Sequence, residues 1–160
     1  MSFCLEEIFE MARQIERDGA EFYRRAAEAT EDSDARELFE ELASWELKHE
    51  RIFHNMSRGL PPEAADGYFD PHGEAAGYLR TLVEGRIFDL AVGPGRVVDA
   101  ASDLPEVIRF AIGKEKQSIL FYVGLRDVAP GGADQVDQII REEMRHIRIL
   151  SRLLDPHEPA

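Results

Sequence analysis

The sequence has little cysteine and little positive charge. Its single cysteine, Cys4, excludes an intramolecular disulfide and any metal site built on a Cys-x-x-Cys pair. Lysine and arginine total 19 against 32 aspartates and glutamates, which gives the 160-residue chain a formal net charge of −13. Because nucleic acids and anionic membranes bind basic patches, this balance argues against both as partners.

Long hydrophobic runs are also missing. No stretch approaches the ~20 consecutive apolar residues that a membrane-spanning helix needs. The N-terminal segment has no basic region, and Glu6 and Glu7 interrupt its apolar residues, so we expect no secretory signal and a cytoplasmic location. Apolar residues still make up 44% of the chain, and a chain of this length is most simply one domain with a buried core.

What the sequence does have is helical periodicity in four long segments. Turn and capping residues separate them, including an acidic run over residues 31–34, Pro105 near the start of the third segment, and Pro130-Gly131-Gly132 before the fourth. The expected helices run over about 5–30, 34–57, 103–128 and 134–154.

A long connection, about residues 58–102, lies between the second and third helices. We expect two short helices inside it, over about 73–84 and 95–101. The first of these has an apolar face formed by Tyr78, Leu79, Leu82 and Val83. Two helical hairpins joined by one long crossover define the ferritin-like form of the all-α four-helix bundle.

One pattern of acidic, aromatic and histidine residues occurs twice. In each copy, a lone glutamate is followed six and seven residues later by a Phe-Tyr pair, and then by Glu-x-x-His. The first copy consists of Glu16, Phe22-Tyr23, Glu46 and His49. The second copy consists of Glu115, Phe121-Tyr122, Glu143 and His146. Four carboxylates and two imidazoles on four helices are the ligand set of a dinuclear carboxylate site, and the repetition predicts a pseudo-twofold axis through it.

The four glutamates of this pattern interrupt apolar stripes. The residues four and seven positions before Glu46, for example, are Leu42 and Phe39, which share its helix face. The same is true of Glu16, Glu115 and Glu143. Burying unpaired carboxylates costs several kcal/mol each, and no lysine or arginine lies on these stripes to neutralise them. Two divalent metal ions would do so.

The donor set favours iron or manganese. Oxygen-rich ligation with one imidazole per metal suits iron or manganese better than structural zinc. We therefore expect two iron ions, with manganese or a mixed pair as alternatives. The four glutamates are also the candidate catalytic residues.

Other side chains give weaker signals. Tyr23 and Tyr122 are either hydrogen-bond partners of the carboxylates or ordinary core aromatics. Glu50 is expected in a surface salt bridge, and Trp45 in packing or an interface. Surface positions on polar stripes are expected for Glu40, Glu41 and Glu142. Exposed positions without a metal role are expected for His54, His72 and His157.

These motifs resemble the ferritin-like superfamily and, within it, the rubrerythrin-type di-iron proteins. The resemblance covers the four long helices and implies that the six Glu and His residues bind iron, with Glu46 and Glu143 bridging the two ions. The segments that carry it are 15–23, 38–49, 115–122 and 140–146.

The chain departs from rubrerythrins at two points. Rubrerythrins carry a rubredoxin iron centre held by four cysteines, which this chain cannot form. They also have an additional glutamate one turn after the ligand on the third helix, where this chain has Ser118. The site is therefore expected to be closer to the ferroxidase type, and peroxidase turnover would need electrons from a separate protein.

The resemblance implies an oxidoreductase whose iron pair reacts with O2 or hydrogen peroxide, a peroxidase or ferroxidase in the response to oxidative stress. The alternative is an iron-binding or storage protein without catalytic turnover, with Fe(II) as its cargo. A metal-free structural bundle and a hydroxylase of organic substrates stay open. A homo-oligomer, with a dimer favoured, is expected from the apolar residues Phe88, Leu90, Val92, Val97 and Val98.

Overall fold

Helices account for almost all of the structure, a computed structural model that describes residues 5–60, 74–83, 103–129 and 131–155. Within these ranges there are five α-helices and no strand. They are α1 (Leu5–Ala29), α2 (Ser33–Arg58), α3 (Glu74–Val83), α4 (Leu104–Val128) and α5 (Ala133–Leu154). Each long helix begins and ends within one residue of the bounds expected from the sequence.

The helices pair in the order of the chain. α1 packs along α2, and α4 packs along α5, so each pair forms a hairpin. Contacts of α1 with α4 and of α2 with α5 join the hairpins into one four-helix bundle. The predicted all-α bundle of two hairpins is confirmed.

Local sequence explains where the helices begin and end. The side chain of Asp32 accepts a hydrogen bond of 2.8 Å from the backbone N–H of Ala35 and caps α2. Pro105 lies in the first turn of α4, where its missing N–H costs nothing. Gly131, in the turn before α5, has a φ of 68°, a conformation that glycine adopts without strain.

Aromatic and aliphatic side chains fill the interior between the four long helices. Phe9 and Phe53 pack against each other with ring centroids 6.4 Å apart, and Phe53 also lies 5.0 Å from Tyr122. Each such fully buried side chain contributes about 1.5–3 kcal/mol of hydrophobic stabilisation. Most of the buried polar side chains in the described interior belong to the candidate ligands.

The short helix α3 packs on α4 and touches α1. Leu79 is fully buried against Gly124 of α4, where a Cβ atom would lie only 2.6 Å from its Cδ2. Glycine at this position therefore lets α3 approach α4 closely. Leu82 is half-buried. Tyr78 is 50% exposed, but its Cε1 atom lies 3.5 Å from where a Cβ at Gly124 would be, so Tyr78 forms part of the expected apolar face without being buried.

Several expectations about the crossover lie outside the described residues. They include the second short helix over 95–101 and the five apolar residues from Phe88 to Val98 that suggested an oligomer. In the ranges described, no helix is long and apolar enough to cross a membrane.

Candidate metal centre

The bundle brings together the six predicted ligands, each from the helix expected for it. α1 and α4 supply the lone glutamates, Glu16 and Glu115, while α2 and α5 each supply one Glu-x-x-His pair. None of the six residues is more than 2% exposed. Because Glu and His three residues apart lie on one helix face, both members of each pair point into the same interior region.

Two overlapping groups of these residues have the geometry to hold a metal ion. In each group, one ligand atom from each residue lies within 4.8 Å of all the others. The group that we name the His49 position contains Glu16, Glu46, His49 and Glu143. The group that we name the His146 position contains Glu46, Glu115, Glu143 and His146. The two shared residues are the glutamates expected to bridge, and their bridging role stays a prediction.

Glu143 connects the two imidazoles. Its Oε1 atom lies 3.0 Å from His49 Nδ1, and its Oε2 atom lies 2.9 Å from His146 Nδ1. The two rings are stacked, with centroids 5.8 Å apart. In both histidines, Nδ1 is therefore the nitrogen that faces the carboxylates of the candidate ligands.

In the described part of the chain, three carboxylate oxygens of the cluster lack the hydrogen-bond partners that buried carboxylates normally have. Glu16 Oε2, Glu46 Oε1 and Glu115 Oε2 are buried and have no hydrogen-bond partner within the described ranges. No lysine or arginine of those ranges forms an ion pair with any of the four glutamates. Buried unsatisfied carboxylate oxygens are costly, and metal ligation is one of the few arrangements that satisfies them. The residues present fit a pair of divalent metal ions.

The pKa values of these glutamates in the metal-free protein show the same cost of burying them. Burial, and then the charge of Glu143, raise the pKa of Glu46 and of Glu115 well above the usual value, and the same two causes raise the pKa of Glu16. Removing charged carboxylates from water disfavours ionisation, and their proximity to one another disfavours it further. A bound dication would reverse this preference.

His49 and Glu143 stabilise each other's charged forms within the cluster. Burial opposes charge on His49, but Glu16 and Glu143 outweigh it and raise the His49 pKa to about 12. Burial also opposes charge on Glu143, but the nearby imidazoles outweigh it and hold the Glu143 pKa below its usual range. Without metal, the His49 proton thus takes part of the role that a metal ion would fill.

Two tyrosines each donate a hydrogen bond to the lone glutamate of the other hairpin. The Tyr23 hydroxyl on α1 donates to Glu115 Oε1 on α4, and the Tyr122 hydroxyl on α4 donates to Glu16 Oε1 on α1. Burial and the adjacent carboxylates raise the pKa of both hydroxyls, so both remain donors. The sequence left open whether Tyr23 and Tyr122 are ordinary core aromatics or hydrogen-bond partners of the carboxylates. The structure favours the second interpretation.

Sequence reasoning missed one residue of this site. Glu142 was expected on the surface, but its Oε2 atom lies 2.7 Å from His49 Nε2, and its side chain is only 20% exposed. Metal-binding histidines commonly donate their second ring N–H to a carboxylate in this way. A glutamate directly before the candidate ligand Glu143 was the signal in the sequence, but only the packing of α5 on α2 shows which histidine it meets.

The other secondary candidates have mixed outcomes. Glu50 forms the expected salt bridge, since its Oε1 lies 2.9 Å from Arg13 Nε. Ser118 is buried and donates to the Lys114 carbonyl at 3.1 Å, so it adds no ligand to the cluster. His54 is half-buried, so its expected exposure was wrong. His72 and His157 lie outside the described residues.

Trp45 covers the histidine side of the cluster. Its ring lies 6.2 Å from the His49 ring and 6.1 Å from the His146 ring, and Lys48 Nζ lies 4.3 Å above it. Beside Trp45 is a cavity of about 230 Å³ between α2 and α5. Its lining includes His146 and Glu142, so one candidate ligand reaches the cavity wall.

The fold and the cluster together define a class, the ferritin-like helical bundles with a buried Glu/His cluster between the four long helices. The comparisons with known proteins agree. The rubrerythrin family model matches residues 7–84, which include the first copy of the motif. A crystal structure from Thermotoga maritima, described as that of a ferritin-like diiron-carboxylate protein, is 25% identical, with 96% of each chain covered and a TM-score of 0.71.

The comparison with curated proteins gave no match. The resemblance to rubrerythrin-type di-iron proteins of the ferritin-like superfamily, expected from the motifs, is confirmed by the family model and the solved structure. The family model covers the first hairpin and α3, while the structural match extends over both hairpins.

Proposed function

We propose that this chain is a di-iron oxidoreductase that reduces hydrogen peroxide or O2. The observation that carries the proposal is the set of four buried glutamates and two histidines, arranged as two overlapping four-ligand groups. Three of its buried oxygens lack a partner in the described structure, which supports a metal-binding role over a purely structural one.

The protein's own residues would bind and orient the ions. Glu46 and Glu143 belong to both groups, so they are suited to hold two ions at once. Tyr23 and Tyr122 fix one oxygen of each lone glutamate and leave the other available. The apolar layers exclude bulk water, which strengthens the electrostatic interactions of the site.

A bound iron pair supplies the two electrons that peroxide reduction requires. Hydrogen peroxide takes up two electrons and two protons and yields two water molecules. No rubredoxin-type centre can form from a single cysteine, so turnover would draw electrons from a separate reductant. With excess Fe(II) as the reductant, the same site would act as a ferroxidase.

The test is a single-turnover assay on protein that has been loaded anaerobically with Fe(II) and desalted. We expect about one peroxide consumed per two bound irons, with Fe(III) formed at the same rate. The double variant Glu46→Ala/Glu143→Ala removes both shared ligands and should lose the reaction about 100-fold or more. Glu40→Ala/Glu41→Ala removes two exposed acids from α2 and should retain it.

A protein that binds two irons but neither consumes peroxide nor oxidises added Fe(II) would contradict the proposed activity. The storage alternative is separated by adding excess Fe(II) with O2 and counting the iron retained. Retention of many irons per chain in a large assembly would support storage, whereas two per chain would support the oxidoreductase.

Several associated expectations stay predictions from the sequence. They are the identity of the metal as iron, the physiological oxidant, the separate electron donor, the homo-dimer and the cytoplasmic location. Elemental analysis of protein isolated from its own cells would test the first of them.

A further inference from the structure

The two histidines of the cluster have different neighbours on their outer side. His49 Nε2 lies 2.7 Å from the Glu142 carboxylate. His146 Nε2 has no hydrogen-bond partner in the described part of the chain. Since Nδ1 of both rings faces the carboxylates, this outer nitrogen is where the two otherwise matching halves differ.

The difference arises at one position of the repeated motif. Each hairpin places the residue before its Glu-x-x-His beside the histidine of the other hairpin. On α5 that residue is Glu142, which reaches His49. On α2 it is Trp45, whose ring lies 6.1 Å from the His146 ring and offers no acceptor. The candidate ligands of the two hairpins match, but the residues beside the outer nitrogens of the two histidines do not.

A carboxylate that accepts the second ring N–H of a metal-binding histidine fixes the tautomer and orientation of the ring and makes it a stronger ligand. Resting on the dinuclear site proposed above, we propose that the two metal positions are unequal. The His49 position, supported by Glu142, binds a divalent ion more tightly and fills first. The His146 position is the weaker one and the one that exchanges its ion.

The surroundings of the two positions agree with this order. His146 lines the cavity between α2 and α5, together with the side chains of Trp45, Leu42 and Ile149. His49 is fully buried and does not line that cavity. Of the two histidines, His146 is therefore the one that borders this cavity, which agrees with easier exchange of an ion at the His146 position.

Two single-histidine variants separate the positions. His146→Ala keeps only the His49 position intact, and His49→Ala keeps only the His146 position. Co(II) binding is titrated into each metal-free variant by calorimetry and by its visible absorption. We expect Glu142→Ala to weaken Co(II) binding about 10–100-fold in the His146→Ala background. In the His49→Ala background, we expect Glu142→Ala to change Co(II) binding less than about twofold, because the histidine that Glu142 contacts is already absent.

Glu41→Ala is the matched control for charge. Glu41 lines the same cavity as Glu142 and is exposed, and it forms no hydrogen bond or ion pair with either histidine. It should change Co(II) affinity less than about twofold in both backgrounds. Equal weakening by Glu142→Ala in both backgrounds, or equal weakening by Glu41→Ala and Glu142→Ala, would overturn the proposal, because a general charge effect would then explain the result.

The unaltered protein provides a second measurement that does not depend on how the variants fold. Crystals grown with one equivalent of Co(II) per chain should show anomalous scattering at the His49 position. Scattering at the His146 position, or equal scattering at both, would overturn the proposed order. If the protein binds two Co(II) ions with equal preference, only the inequality fails. If it binds none, the dinuclear site and the proposed function fail as well.

Discussion

At the scale of single residues, the buried carboxyls dominate the energetics of the metal-free protein. Glu16, Glu46 and Glu115 all have raised pKa values caused first by burial and then by the charge of Glu143. A group whose pKa is higher in the folded state contributes stability that is complete below its unfolded pKa and is lost as the pH rises through the folded one. These three groups therefore destabilise the metal-free protein as it is made more alkaline.

The contributions of His49 and Glu143 to stability change in opposite directions with pH. His49, raised from 6.5 to about 12, contributes stability that is complete below about pH 6.5 and declines above it. Glu143 has a lowered pKa, so its contribution is present above its usual value of 4.5 and is lost only as the pH falls below that value. Above about pH 5.5, the contribution of Glu143 is complete. Further loss of protons from His49 and from the other three glutamates then lowers the free energy of unfolding.

We predict that the melting temperature of the metal-free protein falls between about pH 5.5 and pH 8.5. Each kcal/mol lost should lower it by about 2–4 °C. Two bound divalent ions stabilise the ionised carboxylates, so the stabilisation by metal should grow over the same range. Circular dichroism melts of the metal-free and Co(II)-loaded forms measure both. A metal-free melting temperature that is flat or rises with pH would contradict the assigned pKa directions.

The residue scale also shows what the sequence could and could not predict about the site. Apolar neighbours at helical spacing were enough to identify Glu46 as buried, because that pattern depends on one helix alone. Glu142 lies on a partly exposed stripe of α5, and its partner His49 is on α2. Which residues meet between helices depends on their relative rotation and height, and the pattern of a single helix does not contain that information.

At the scale of the helices, the breaks in the sequence were as informative as the periodicity. Asp32, Gly59 and Pro105 stand at the helix ends, where capping and steric preferences are strongest, so the bounds of the long helices were predictable. The face of α3 was less predictable. Leu79 of this short helix is fully buried, whereas Tyr78 beside it stays 50% exposed.

The packing of α3 on α4 gives a prediction with an internal control. Both Gly113 and Gly124 lie within α4, but a Cβ at position 113 would meet nothing within 4 Å, whereas one at position 124 would lie 2.6 Å from Leu79. Gly113→Ala should stabilise the protein by about 1 kcal/mol through helix propensity. Gly124→Ala gains the same amount but forces Leu79 to move, at a cost of about 1–3 kcal/mol.

Urea unfolding of the metal-free variants compares the two substitutions directly. We expect Gly113→Ala to be the more stable of the two, and Gly124→Ala to be equal to or less stable than the parent chain. Equal stabilisation by both substitutions would mean that α3 does not pack on α4 as described.

At the scale of the whole molecule, two similar hairpins meet around one polar centre. Each contributes a lone glutamate, a tyrosine that reaches the glutamate of the other hairpin, and one Glu-x-x-His pair. The duplication in the sequence predicted this arrangement, because residues at matching positions of two packed hairpins converge near the axis between them. The ferritin-like fold follows from the same pattern, and the structural match covers 96% of the chain.

We propose above all that these six residues form a site for two metal ions. The most direct measurement is the iron content per chain, by elemental analysis, after anaerobic loading with Fe(II) and desalting. We predict about two irons per chain in the parent protein and in Glu40→Ala/Glu41→Ala, and almost none in Glu46→Ala/Glu143→Ala, which lacks both shared ligands. No stoichiometric iron in the parent, or the same two irons in the variant without Glu46 and Glu143, would contradict the claim.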